Sequence, residues 1–181
     1  MKRGALAVVL LAAALVSGNS SSCGSIQPST VKDCNSRDIG SCGNACCAVD
    51  VTLTATPEKA YTVLKSNLSS GGKDRSFAYI NDTDTAGHNP VDNLTPFHVG
   101  YNYILQGTHT TTSGYVDTIN INIKGASGAT TQARLFSISN IHGALGDNGQ
   151  NFKSLAFLLQ TSGLEIGPMD VVHGCGGKSA T

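Results

Sequence analysis

Alternating apolar and polar positions dominate the middle of the chain and predict a sheet. Residues 48–55 alternate strictly, which is the period-two pattern of a strand with one buried face. Residues 118–124 repeat the pattern most clearly, with Ile119, Ile121 and Ile123 on one side. Further strands are predicted over 76–80, 99–107 and 131–139.

Two stretches have the helical period instead. In the first, Thr56 can cap a helix whose first residue is Pro57, and a stripe of Ala60, Leu64 and Leu68 follows. The second follows a glycine-rich corner at 143–151, and its apolar stripe is Phe152, Leu155, Ala156 and Leu159.

The order strand, helix, four strands, helix predicts an α+β domain, an antiparallel sheet of about five strands with two covering helices. A curved sheet around a helix would leave a cavity for a small apolar ligand.

The N-terminus predicts export from the cytosol. Residues 1–18 have a basic start, an apolar run at 5–16 and small residues after it, the pattern of a secretory signal peptide. The apolar run is shorter than the roughly 20 residues of a membrane-spanning helix, so no transmembrane segment is predicted. A lipid anchor on Cys23 is the alternative, but the residues before it lack the expected motif.

These patterns divide the chain into four segments: a signal peptide at 1–18, a cysteine-rich lead-in at 19–47, an α+β domain at 48–166 and a C-terminal tail at 167–181 that contains Cys175. The predicted location is secreted or extracellular, with an organelle lumen or periplasm as the alternative.

Charge excludes some partners. Only 13% of residues are charged, with 12 basic and 12 acidic side chains and no basic cluster, so neither nucleic acid nor an anionic membrane is an expected partner. The oligomeric state is left open. Sequons at Asn19, Asn67, Asn81 and Asn93 permit glycosylation.

The six cysteines predict disulfide bonds, because the chain is expected to leave the reducing cytosol. At least one bond should join the N-terminal segment to the tail, and the adjacent pair should reach different partners. A metal site that includes His173 is the alternative, and the connectivity stays open. The cysteines are Cys23, Cys34, Cys42, Cys46, Cys47 and Cys175.

Asp117 and Arg134 are the candidate residues of a ligand cleft. Asp117 shares the strand parity of Ile119 and therefore points inward, where a carboxylate needs a partner. Arg134, on the next strand, is the obvious one. The alternative is that a bulge turns Asp117 to solvent.

No metal or cofactor site is predicted. The stretch Asp147–Asn151 offers oxygen ligands for calcium, but a turn and helix cap is the favoured interpretation. Asp82–Gly87 resembles half of a calcium loop and lacks the closing acid. The five histidines lack metalloprotease spacing, and the chain has no Gly-x-Ser-x-Gly elbow.

Three motifs of the C-terminal third resemble a family of bacterial, algal and plant proteins, domain of unknown function number 1499. Tyr115-Val-Asp-Thr118 resembles its Phe-Val-Asp-Asp element, Ser137-Ile-Ser139 its serine-rich strand, and Asp147-Asn-Gly-Gln-Asn151 its Asp-x-Gly-x-Asn motif. Asn140 replaces the family's arginine, and the cysteine cluster replaces its N-terminal motif. The resemblance implies a fold and a lineage without an activity.

The sequence therefore predicts a secreted or lumenal, disulfide-stabilised, non-enzymatic module that binds a small apolar ligand. One alternative is a hydrolase or isomerase that uses Asp117, Arg134 or a histidine of the 81–98 loop. The other is a structural or interaction protein of a cell wall or photosynthetic lumen.

Overall fold

The computed structural model describes residues 45–81, 91–140 and 146–177. The predicted signal peptide, most of the lead-in with Cys23, Cys34 and Cys42, the sequon at Asn19 and the half calcium loop after Asn81 lie outside these ranges. The described residues form an α+β fold, as the sequence predicts, with one antiparallel sheet and two helices.

The sheet has six strands in the order β2-β3-β4-β5-β1-β6, so β2 and β6 are its edges. The strands are β1 Cys46–Leu53, β2 Phe77–Tyr79, β3 Tyr103–Thr110, β4 Val116–Gly125, β5 Thr131–Ser139 and β6 Ile166–Gly174, and the helices are α1 Pro57–Ser70 and α2 Gln150–Gln160. Short 3-10 turns occupy Thr95–Phe97 and Cys175–Gly177.

Helix α1 begins and ends at the residues that the sequence marks. The Thr56 hydroxyl accepts a hydrogen bond from the Lys59 amide at 3.3 Å, and Pro57 opens the helix. Gly71 closes it in the left-handed conformation, which glycine adopts without steric cost. The buried positions are Ala60, Leu64 and Leu68, the stripe that the periodicity predicts.

Both helices pack on one side of the sheet, which we call the first face. Side chains such as Val49, Ile121 and Leu135 meet Leu64 and Leu158 there, all fully buried. We call the opposite side the second face; it carries the intervening residues, among them Asp50 and Arg134. Close packing of the first face removes apolar area from water and stabilises the fold.

Two elements differ from the sequence prediction. The segment predicted as a tail contains β6, which pairs with β1 and adds a sixth strand. Strand β3 continues through Gly107 instead of ending there. The glycine does not mark a turn; it lies in close contact with α1 and β2, where a Cβ would stand 2.7 Å from the Ala78 carbonyl oxygen.

Candidate ligand-binding groove

A row of charged side chains crosses three strands on the second face. Asp50 on β1 is paired in register with Arg134 on β5 and with Asp170 on β6. The Arg134 guanidinium donates two hydrogen bonds to the Asp50 carboxylate, from Nε at 2.7 Å and from Nη2 at 2.8 Å. Such a bidentate pair fixes the direction of both side chains.

A second, parallel row carries uncharged and basic groups. Gln132 on β5 is paired in register with Thr52 on β1 and with Lys124 on β4. Together the two rows line a cavity of about 340 Å³, and Tyr101 adds an aromatic wall to it. The cavity is partly open to solvent.

A second cavity of about 340 Å³ lies beside the first. The two share Tyr101 and Lys124 in their walls, and the second continues past Thr95, His98 and Asn102. We call the two cavities together the polar groove. His98 belongs to the loop whose histidines were catalytic candidates; it is exposed, and His88 lies outside the described residues.

Asp170 is an acceptor left available in the groove. It stands opposite Asp50, a second acid, and like charges opposite each other in a sheet are destabilising. Among the described residues, the side chain of Asp170 has no ion-pair or hydrogen-bond partner. The arrangement therefore leaves an exposed carboxylate beside the cavity at a cost in stability.

Asp117 lies on the other side of the sheet. It is 3% exposed on the first face, and its carboxylate Oδ2 lies 3.3 Å from His109 Nδ1. The predicted pairing of Asp117 with Arg134 is wrong: the register places Asp117 opposite Ser139 and Arg134 opposite Asn122, on opposite faces of the sheet. Of the two cleft candidates, Arg134 alone lines the groove.

Ser154, His109 and Asp117 are adjacent, yet they do not have the geometry of a hydrolase triad. The Ser154 hydroxyl and the Asp117 carboxylate approach the same ring nitrogen, His109 Nδ1, at 3.1 and 3.3 Å. Ser154 Oγ also lies 2.9 Å from the Gln150 carbonyl, to which it donates its hydrogen. A triad requires the serine and the acid at different ring nitrogens. The cluster is buried beneath α2 and holds this helix against β3 and β4.

A second polar cluster surrounds Asp92 at the β2 edge. Asp92 Oδ2 accepts hydrogen bonds from Lys65 at 2.7 Å, Tyr79 at 2.6 Å and Tyr61 at 3.1 Å. Burial, followed by the bond to Asp92, raises the pKa of Tyr79 to about 12. Burial lowers the pKa of Lys65, but the bonds and charge of Asp92 and the tyrosines outweigh it, so this pKa lies above its ordinary value.

Cys47 and Cys175 form a disulfide that ties β1 to the C-terminal end of the sheet, as predicted. Cys46 is disulfide-bonded as well, so the adjacent cysteines do reach different partners. Because the sulfur of Cys175 is committed to this bond, it is not a ligand of the alternative metal site with His173. The described residues contain no cluster of metal-ligating side chains.

Asp147 precedes α2 and bonds to its first turn. Its Oδ1 accepts from the Gly149 amide at 2.9 Å, and its Oδ2 accepts from the backbone and side-chain nitrogens of Asn151 at 2.8 and 2.6 Å. Both oxygens are thus engaged by protein donors, which agrees with the turn-and-cap interpretation rather than with calcium.

The sequons differ in accessibility. The Asn67 side-chain nitrogen, the atom that would carry a glycan, is buried within α1. Asn81 and Asn93 are exposed. Asn93 Oδ1 accepts from the Thr95 amide and hydroxyl at 3.0 and 2.7 Å, which leaves its nitrogen available.

Most residues of the groove were not predicted from the sequence. Asp50, Lys124 and Gln132 occupy the polar positions of alternating strands, where solvent-facing side chains are the ordinary expectation. The register between β1 and β5 aligns Asp50 with Arg134. No local pattern in the sequence determines that register, so the pair could not be predicted. Asp170 was missed because β6 itself was missed.

A comparison with protein-family models finds no match, and a comparison with curated proteins gives none either. The resemblance to the family of unknown function therefore stays a prediction. Within the described ranges, no helix is long and apolar enough to cross a membrane.

Proposed function

We propose that this protein is a secreted, non-enzymatic module that binds an extended hydroxyl-rich molecule, such as a short neutral oligosaccharide, in the polar groove. One observation carries the proposal: two adjoining cavities of about 340 Å³ each share Tyr101 and Lys124, and the first is also lined by the bidentate Asp50–Arg134 pair. Each volume is in the range of small-molecule sites. The signal-like N-terminus and the disulfides support secretion.

The lining favours hydroxyl groups over other ligand chemistry. Asp50 and Asp170 accept hydrogen bonds, Arg134 and Lys124 donate them, and Gln132 does both. The two acids balance the two bases, so the lining has no excess charge to select an anion or a cation. Tyr101 offers a ring whose flat apolar surface suits the face of a sugar.

The apolar ligand expected from the sequence has less support than a polar one. The space between the sheet and the helices, where an apolar molecule would bind, is occupied by the packed side chains of the first face. The groove lies on the second face, and its floor is made of charged and amide groups.

The enzyme alternative also has less support. Asp117, its principal residue, is buried and does not line the groove. It contacts His109, which in turn contacts Ser154 of α2, so the cluster holds this helix in place. The structural-protein alternative is favoured by the filled core, but it assigns no role to the exposed carboxylate of Asp170.

Binding can be tested by titrating the purified full chain with a panel of neutral tetrasaccharides and following backbone amide shifts by NMR. We expect the shifts to concentrate at Asp50, Arg134 and Tyr101. The variant Tyr101→Ala should weaken binding at least tenfold. Its matched control is Tyr115→Ala, because Tyr115 is 55% exposed and lies outside the groove.

Shifts confined to Asp117, His109 and Ser154 would instead favour the enzyme alternative. No binding by any tetrasaccharide, or equal binding by the two tyrosine variants, would contradict the proposal. Native mass spectrometry of the same sample, with and without reductant, reports whether a molecule is retained and how many disulfides are present.

A further inference from the structure

The second face carries a buried apolar patch in the two rows of the sheet next to the Asp50–Arg134 row of the groove. Ala48 pairs with Phe136, and Cys46 with Ile138. Ala48, Phe136 and Ile138 are 0%, 1% and 8% exposed, although both helices pack on the first face. An apolar patch on the surface of a sheet is exposed to solvent unless other groups pack on it. Since neither helix packs on this face, another segment of the chain must do so.

The cysteine count points to that part. The chain has six cysteines, Cys47 is bonded to Cys175, and Cys46 is also in a disulfide. The partner of Cys46 is therefore Cys23, Cys34 or Cys42, and all three belong to the lead-in. The side chain of Cys46 is fully buried on the second face, so a covalent link joins this face to the lead-in.

We propose that residues 19–44 of the lead-in dock on the second face and cover Ala48, Phe136 and Ile138, held by the disulfide of Cys46. The chain enters the described fold at Ala45, directly beside the patch. The carbonyl of Ala45 accepts from the Ser139 amide and from Asn151 Nδ2, both at 3.0 Å, which fixes the entry point. The lead-in carries Ile26, Val31 and Ile39, apolar side chains that match the patch.

A buried hydrogen-bond donor on the second face, in the side chain of Asn120, suggests that the docked segment also forms a hydrogen bond with the sheet. Asn120 is 2% exposed, and its Oδ1 accepts from Gln106 Nε2 at 2.7 Å. Its Nδ2 has no hydrogen-bond partner among the described residues. Because an unsatisfied buried donor is costly, a backbone carbonyl of the docked segment is the natural acceptor.

The docking goes beyond the proposed function and does not depend on it, since the patch and the groove are adjacent rows of the second face with different side chains. Three shorter stretches, 82–90, 141–145 and 178–181, also lie outside the described ranges. None of them contains a cysteine, so none explains the disulfide of Cys46.

The test uses the full secreted chain. Peptide mapping without reduction should find Cys46 bonded to a lead-in cysteine. Hydroxyl-radical footprinting should then modify Phe136 as slowly as Phe77, which is buried on the first face and serves as an internal control. The triple variant Ile26→Ser, Val31→Ser, Ile39→Ser leaves every described residue unchanged. In this variant, modification of Phe136 should rise several-fold, and that of Phe77 should stay as in the parent.

Three results would overturn the proposal. The first is a free thiol at Cys46, or a bond from Cys46 to another molecule. The second is a Phe136 that stays protected in the triple variant, which would assign the cover to 82–90, 141–145 or 178–181. The third is an equal rise at Phe77, since docking on the second face leaves the first face untouched.

Discussion

At the scale of single residues, Asp92 shows how one buried acid fixes a loop. Its carboxylate oxygen accepts from Lys65 and two tyrosines, and its backbone carbonyl accepts from the Ile104 amide at 2.9 Å. These bonds attach residue 92 to α1, β2 and β3 together. Hydrogen bonds to a charged group are worth about 1.5–3 kcal/mol each when one partner is removed.

We predict that Asp92→Asn lowers the free energy of unfolding at neutral pH by about 2–3 kcal/mol. The folded pKa values of Tyr79 and Lys65 lie above their unfolded values, so the stability they contribute is complete below about pH 10 and is lost as pH rises through about 12. The difference in the free energy of unfolding between parent and variant, measured by urea denaturation, should therefore become smaller above pH 10. Glu165→Gln, at an exposed position, should behave like the parent, and a gap that is constant with pH would contradict this account.

At the scale of elements, contacts between strands and helices override local signals. Gly107 marks a strand end in the sequence, yet it lies inside β3, opposite Tyr79 of β2 and beneath Leu68 of α1. The glycine is present because the neighbouring backbone is too close for a side chain, and not because the strand turns.

Gly107→Ala should consequently destabilise the fold. Its Cβ would lie 2.7 Å from the Ala78 carbonyl oxygen and 3.0 Å from Leu68 Cδ2, so β2 or α1 must move. We expect a loss of about 1–3 kcal/mol, the usual cost of overpacking, measured by thermal and urea denaturation. Gly125→Ala is the matched control on β4, where the nearest atom is 3.3 Å away. Equal losses in the two variants would contradict the close-approach argument.

The regular elements could be predicted from the sequence because their periodicity is local. Strand β5 spans Thr131–Ser139 as predicted, and α1 has its predicted cap and stripe. Strand β6 was not predicted, since Gly167 and Pro168 interrupt its pattern, and proline is tolerated at the edge of a sheet. The partner of Arg134 was assigned incorrectly because it depends on register, which no single strand encodes.

At the scale of the whole molecule, both the groove and the Cys47–Cys175 disulfide are formed by residues that lie far apart in the chain. The row Asp50, Arg134 and Asp170 exists only once β1 lies between β5 and β6. The N- and C-terminal parts of the described fold therefore meet at β1, and the groove depends on how firmly β6 is held there.

The Cys47–Cys175 disulfide is a covalent constraint on the contact between β6 and β1, and removing the bond tests how much it contributes. The bond spans 128 residues, so it restricts the unfolded chain strongly, and Cys47→Ala with Cys175→Ala should cost about 2–5 kcal/mol. Of the described strands, only β1 pairs with β6, and β6 contains Pro168, which has no amide hydrogen, so we expect it to open first. In hydrogen exchange, the amides of Met169–Gly174 should lose protection in the double variant while those of Ile119–Ile123 on β4 keep it. Tetrasaccharide binding should weaken in parallel, because Asp170 would leave the groove. If β6 and β4 lost protection together, β6 would instead unfold only with the whole sheet, and the disulfide would stabilise the fold without holding this edge in particular.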